Sequence, residues 1–370
     1  MNKEIIESII KTELKDYIDF ATTLAKGEHK TLSPPFISYS NSDIDILDFY
    51  HQFFTEYINC LKRIDRNVID KVNITMQTLI YRHRKQIIKF DIIQETLDLC
   101  NAILEATTQY FKGFPNIAYE KLEQVFVNNS CHLLQLLPQL TCTNIQLYRT
   151  RKGEDLQERK ELFHTPFELR TKCASYRFST LGYPSLYLAS SLETALLEVG
   201  AKNLSEYFCS CFKTHSDICV VDLALPNRDL TFWEQYSLLV FYPLIVACNL
   251  KVKNTDDPFK PEYVIPQLLT QIIRLHSSDI IGISYTSTKH KKIDYTDFKQ
   301  RNFVIYVPYA ESSKGYSKDL SKLLYSTMPI PCNINANGSI KDLEDKCSNL
   351  EFGEIILNYF TTLASPRMKK

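Results

Sequence analysis

A chain of 370 residues is long enough for two or three cores. With 44% hydrophobic and 23% charged residues it is neither disordered nor fibrous. Lys+Arg and Asp+Glu both number 43, so no global charge draws the chain to nucleic acid or to an anionic membrane.

Nine glycines, with no G-x-G-x-x-G and no P-loop, exclude the Gly-rich turns that usually cradle dinucleotides and ATP. Eleven scattered cysteines and an N-terminus, MNKEIIESIIKTELKDY, without a signal-like apolar block predict reduced thiols and a cytoplasmic location. The most apolar run, Leu238 to Cys248, is too short for a bilayer and contains Pro243.

Residues 1–140 read as a helical bundle. Ile5, Ile6, Ile9, Ile10, Leu14, Tyr17 and Ile18 recur at helical spacing until Ser33-Pro34-Pro35. Helices over about 43–66, 68–89 and 91–112 follow, and Gly113-Phe114-Pro115 separates the last from another over 117–137. Tyr81-Arg82-His83-Arg84-Lys85 is a basic knot, read as a solvated helix face rather than an anion site, and His132 beside Cys131 as a helix residue rather than a ligand.

From about residue 143 short strands take over. Asn144–Arg149 forms the first, and 151–172 a polar loop. In the stretch Arg177–Glu198, Gly182-Tyr183-Pro184 marks a turn, Leu186–Ala189 a buried strand, and Ser190 with Glu193 a capping box. The helix so started carries Leu192, Ala195, Leu196 and Val199 inward, with Glu198 beside that stripe. A cation (Arg177), an aromatic ring (Tyr187) and an acid (Glu198) thus arrive from three consecutive elements.

Residues 206–223 read as strand, turn and strand with His215-Ser216-Asp217 at the bend. Cys209, Cys211, His215 and Cys219 are zinc ligands in kind, but the knuckle spacing is absent and burial as small hydrophobes is expected. An apolar helix over 232–248, a helix over 259–274, a strand over 278–284 and a last strand over 302–308 complete the region. A helix, a polar loop around Asn333–Gly338 and an amphipathic helix near 341–363 follow.

The pattern R-F-S-x-x-G-x-P-x-L-Y-L-A-x-S-x-x-x-A-x-x-E over Arg177–Glu198 resembles the RES-domain family, with further similarity in Leu162–Glu168, Phe259–Tyr263, Pro266–Leu269 and the strand ending at Ser287. The resemblance implies an α+β fold. A helical domain over 1–140 would precede an ADP-ribosyltransferase-like domain with a split, mostly antiparallel sheet over 141–315. A C-terminal helical extension over 316–370 would pack on it.

It also implies NAD⁺ as a consumed substrate, with no metal and no other cofactor. Glu198 would bind the ribose and stabilise positive charge as the nicotinamide bond breaks. Tyr187 would stack on the nicotinamide. Arg177, with Arg149 as a second clamp, would hold the diphosphate, and Ser287 and Asn302 would complete the NAD⁺ site. Taken singly, each residue has a plainer reading: Glu198 a solvated helix acid, Arg177 a helix C-cap, Tyr187 core, Ser287 a turn residue.

The expected activity is NAD⁺ glycohydrolase or phosphorylase, as a toxin or defence effector. The alternatives are an ADP-ribosyltransferase acting on a protein, or a catalytically silent binding module. The N-terminal helices would offer an antitoxin or regulatory protein its docking surface, self-association is left open, and neither nucleic acid nor membrane is an expected partner.

Overall fold

The computed structural model describes residues 12–34, 39, 43–85, 88–127, 132–226, 228–309, 314–334 and 338–357. Expectations for Ile5–Ile10, Pro35, Cys131, the middle of the 333–338 loop and the end of the 341–363 helix fall outside them, as do the side chains of His83, Arg84 and His132.

The N-terminal part is helical: α1 Lys15–Ala25, α2 Ile46–Lys62, α3 Arg66–Arg84, α4 Ile92–Phe111, α5 Pro115–Val127 and α6 His132–Leu136. Aspartates start three of them, since the side chains of Asp45, Asp65 and Asp91 accept from Leu47, Asn67 and Gln94 amides. One apolar face of α2 carries Phe49, Phe53 and Tyr57 at intervals of one turn, all buried.

Ten strands then form one sheet: β1 Gln139–Cys142, β2 Gln146–Lys152, β3 Ser185–Ala189, β4 Tyr207–Thr214, β5 Ile218–Asp222, β6 Ile280–Thr286, β7 Arg301–Tyr306, β8 Leu324–Ser326, β9 Ile330–Pro331 and β10 Gly353–Glu354. Their order is β1-β5-β6-β7-β3-β2-β4-β8-β10, with β9 on β4. Among the described strands only β5 and β6 run parallel. Between them come α7 Leu192–Glu198, α8 Phe232–Asn249, α9 Val264–His276, α10 Lys318–Leu323 and α11 Ile340–Ser348. The class is α+β, as the sequence implied.

Several local expectations need correction. β4 and β5, neighbours in sequence, do not pair: β4 joins β2, and β5 joins β1 and β6. β7 is not the last strand, and α11 ends at Ser348, short of the expected helix, because Asn349 caps it and β10 follows. The 151–172 loop holds two turns of 3₁₀ helix, at Arg159–Leu162 and Phe167–Lys172. Gly282 in β6 lies so close to β7 that a Cβ there would collide with the Val304 carbonyl.

The sheet is nearly divided. β3 and β7 align over five residue pairs and β2 and β4 over seven, but β2 meets β3 only at Tyr148 and Ala189. Leu186 and Leu188 of β3 pack below the sheet with Phe163, Phe167 and Phe303. Cys209 and Cys211, on one face of β4, pack with Cys332 and Cys347 in a third apolar cluster.

Helix α8 is apolar all round and buried from Gln235 to Asn249, the pattern of a helix enclosed on every side. The N-terminal helices, α8, α9 and the facing strands share one core. Pro243 has no amide hydrogen, so the Leu239 carbonyl four residues earlier lacks its helical donor. Tyr57 of α2 supplies it, its hydroxyl donating to Leu239 O at 2.6 Å. The hydroxyls of Tyr236 and Tyr242 reach Glu95 and the Leu32 carbonyl at 2.9 and 2.8 Å.

Removing the hydroxyl by Tyr57→Phe leaves a buried carbonyl unmatched and is expected to lower stability by about 1–3 kcal/mol in urea unfolding. In a Pro243→Ala background, where the helix regains its own donor, that cost is expected to shrink. Equal costs in both backgrounds would refute the assignment.

Candidate active site

A cleft of about 510 Å³ opens where β2 and β3 part. Alternation along β3 turns Ser185 and Tyr187 toward it while Leu186 and Leu188 go into the core below. The Tyr187 hydroxyl lies 3.0 Å from Ser179 Oγ, its ring stands edge-on to Tyr176 at 5.6 Å, and burial raises its phenol above the usual tyrosine range.

Arg149 of β2 reaches across the parting. Its Nη1 donates to the Tyr187 carbonyl at 2.8 Å, where a continuous ladder would have supplied a backbone amide. Its Nε is buried without an acceptor among the described residues. Desolvation brings the guanidinium down to about 10, a direction that an anion in the cleft would reverse.

Arg177 lines the cleft and also closes α8. Its Nη1 and Nη2 donate to the carbonyls of Cys248 (3.1 Å) and Leu250 (2.8 Å), so it is both a cleft residue and a helix C-cap. Its guanidinium lies over the Tyr263 ring at 5.2 Å. Tyr263 was not singled out as a site residue; the Phe259–Tyr263 segment was its only signal.

Glu198, at the end of α7, is held from two sides. Its Oε1 accepts from Ser287 Oγ (2.5 Å), just past β6, and from Asn302 Nδ2 (2.6 Å) on β7. Ser287 is fully buried and is itself fixed, its amide donating to Gln300 O at 2.7 Å and its Oγ accepting from the Lys289 amide at 3.3 Å. It does not itself line the cleft but lies behind Glu198. Oε2 of Glu198 has no hydrogen-bond partner among the described residues, so one carboxylate oxygen is locked and the other is available.

The helix that presents Glu198 differs from expectation by one residue. Ser191, not Ser190, is the cap, accepting from the Thr194 amide at 3.2 Å and donating to Lys299 O at 2.8 Å, while Ser190 bonds the Arg301 backbone. Val199 is exposed rather than inward, because α7 stops at Glu198. Glu344 of α11 takes the Leu192 amide at 2.6 Å, placing a carboxylate on the N-terminal end of α7.

The structure thus brings Arg149, Arg177, Tyr187, Glu198 and Asn302 to one cleft, with Ser287 immediately behind Glu198. Lys172, Lys251 and Lys289 also line it and were missed, since lone lysines in loops carry no sequence signal. Among the described residues no group of three or more His, Cys, Asp or Glu side chains is arranged to hold a metal ion, and no helix is long and apolar enough to cross a membrane.

Residues 146–319 match the family model of the RES domain. The match runs from β2 past β7, just under half of the chain, and includes all six residues of this constellation. The chain is 28% identical over 310 residues to a Bacillus subtilis (strain 168) protein named "Putative toxin YopC", covering 77% of this chain and 66% of that one. It therefore spans just under two thirds of the length of the curated relative it matches. No solved structure matches the chain.

Two tests bear on this scaffold. Glu344→Ala removes the acceptor and the charge at the start of α7 and is expected to cost about 1 kcal/mol in chemical denaturation. His164, beside the cleft residue Thr165, is neutral because both ring nitrogens are engaged: Nδ1 donates to Thr165 O and Nε2 accepts from the Ser317 amide, each at 2.8 Å. Burial brings it down to about 4. Between that value and its unfolded value near 6.5 the unfolded chain binds more protons, so stability is full above the window and falls as pH drops through it, by on the order of 3 kcal/mol. His164→Gln is expected to flatten this dependence of the unfolding midpoint.

Proposed function

We propose that the chain is an enzyme that consumes NAD⁺ by breaking the bond between nicotinamide and ribose, with water or phosphate as acceptor. The observation that carries this reading is the Glu198 carboxylate, one oxygen fixed by Ser287 and Asn302 and the other free, facing a cleft that Arg149, Arg177 and Tyr187 also line. Its volume lies within the range of small-molecule sites.

In this reading Glu198 Oε2 accepts hydrogen bonds from the ribose hydroxyls. As the nicotinamide leaves, positive charge grows on the ribose ring and the carboxylate stabilises it. The leaving nitrogen is already cationic, so it departs neutral with the bonding pair and needs no general acid. The two donors on Oε1 prevent the carboxylate from rotating away, an orientation fixed before substrate arrives. Arg149 receives the diphosphate on the side of its unmatched Nε, relieving a buried donor as it binds. Tyr187 and Tyr263 provide aromatic surface for the nicotinamide. A protein that drains NAD⁺ would harm the cell that makes it, in keeping with the toxin name of the B. subtilis relative.

Purified protein is expected to release nicotinamide from NAD⁺, and Glu198→Gln to reduce kcat by at least about a hundredfold with the unfolding midpoint unchanged. Asn302→Ala is expected to lower kcat by about tenfold or more with a smaller effect on KM. Folded wild-type protein that releases no nicotinamide, with or without phosphate, would falsify the assignment. Label from NAD⁺ appearing on a discrete protein of a lysate would instead identify a transferase.

A further inference from the structure

We propose that the cleft is built for a dinucleotide carrying one more phosphate than NAD⁺, so that NADP⁺ is a substrate at least as good as NAD⁺. This rests on the cleavage reading above and extends it to the substrate. The observation is an imbalance of charge. In a chain whose charges cancel overall, the cleft is lined by Arg149, Lys172, Arg177, Lys251 and Lys289, against a single carboxylate, Glu198.

NAD⁺ answers little of this. Its diphosphate carries one negative charge on each phosphorus and its nicotinamide ring one positive charge. Arg149 and Arg177 already oppose the diphosphate in number, and Glu198 the positive ring. The three lysines are left over, and none of them has an ion-pair partner among the described residues. All three are exposed, and together they give the cleft a positive potential that attracts a dianion. A ribose 2′-phosphate is such a dianion, carrying close to two negative charges at neutral pH.

Position separates the lysines. Lys289 follows the Ser287 turn, its amide on Ser287 Oγ, and so belongs with Glu198 at the reacting end. Lys172 and Lys251 come from two loops on the other wall. Lys172 precedes the segment held to α9 by Gln267, whose amide donates to Ser175 Oγ and the Tyr176 carbonyl, each at 2.8 Å. Lys251 follows Leu250, the carbonyl that Arg177 holds. Lys172 with Cys173, and Lys251 with Val252 and Thr255, line the same cleft. The structure assigns Lys172 and Lys251 to the extra phosphate.

The test compares nicotinamide release from NAD⁺ and NADP⁺ by the full chain, each with and without inorganic phosphate. The expected result is a kcat/KM for NADP⁺ equal to or above that for NAD⁺. Lys172→Ala combined with Lys251→Ala should lower the NADP⁺ value by about tenfold or more while the NAD⁺ value stays within about threefold. NAD⁺ cleavage with NADP⁺ at least tenfold poorer overturns the proposal. So does equal loss on both substrates in the double variant. If inorganic phosphate accelerates NAD⁺ cleavage and that acceleration, rather than NADP⁺ use, disappears in the double variant, the lysines serve free phosphate and the proposal also fails. Cleavage of neither dinucleotide by folded protein is a failure of the underlying reading, recognisable because Glu198→Gln then changes nothing.

Discussion

The break between β2 and β3 is the constraint on which the site depends. A sheet that parts in its middle exposes backbone groups that a ladder would have paired, and buried carbonyls do not stay unpaired without cost. Here one pair, Tyr148 with Ala189, holds the two halves in register, and the Arg149 guanidinium takes over the Tyr187 carbonyl. The same substitution of a side chain for a backbone amide opens the space and leaves a cationic group inside it. Cleft and charge therefore have one cause.

The helical front half matters to that cleft through α8. Tyrosines from α2 and from α8 itself tie this helix to the N-terminal segments, and Tyr57 makes good the hydrogen bond that Pro243 removes. The far end of α8 then supplies the carbonyls that orient Arg177. A chain of direct contacts thus runs from α2 to the cleft. On the opposite side, α11 bears on α7 through Glu344, so the helix that ends in Glu198 is also held by an element after the matched segment.

Much of this was legible in the sequence where the signal was local. A helical period marked α4, a long apolar run marked α8, and a short apolar run marked β3. The residues Arg177, Tyr187 and Glu198 could be named because they stand, within 22 residues of turn, strand and helix, in a pattern that resembles the RES family. What was missed depends on contacts between distant segments. Nothing near β4 and β5 announces that they lie in different halves of the sheet. The Glu193 spacing favours Ser190 as the cap, and only contacts with the distant Lys299 and Arg301 backbone show that Ser191 takes that place. The loop lysines and Tyr263 were hidden for the same reason: their meaning comes from the wall they share.

One feature bears on how such a segment passes between proteins. The residues that match the RES family, 146–319, include α8, yet α8 is enclosed largely by side chains that precede them. Transplanted behind a different leader, the segment would carry an all-apolar helix with no sheath and a proline gap with no phenol to close it. It is not a cassette. Exchange at this boundary would demand that the incoming leader reproduce Tyr57 and its neighbours in place, so front and back halves should be inherited together.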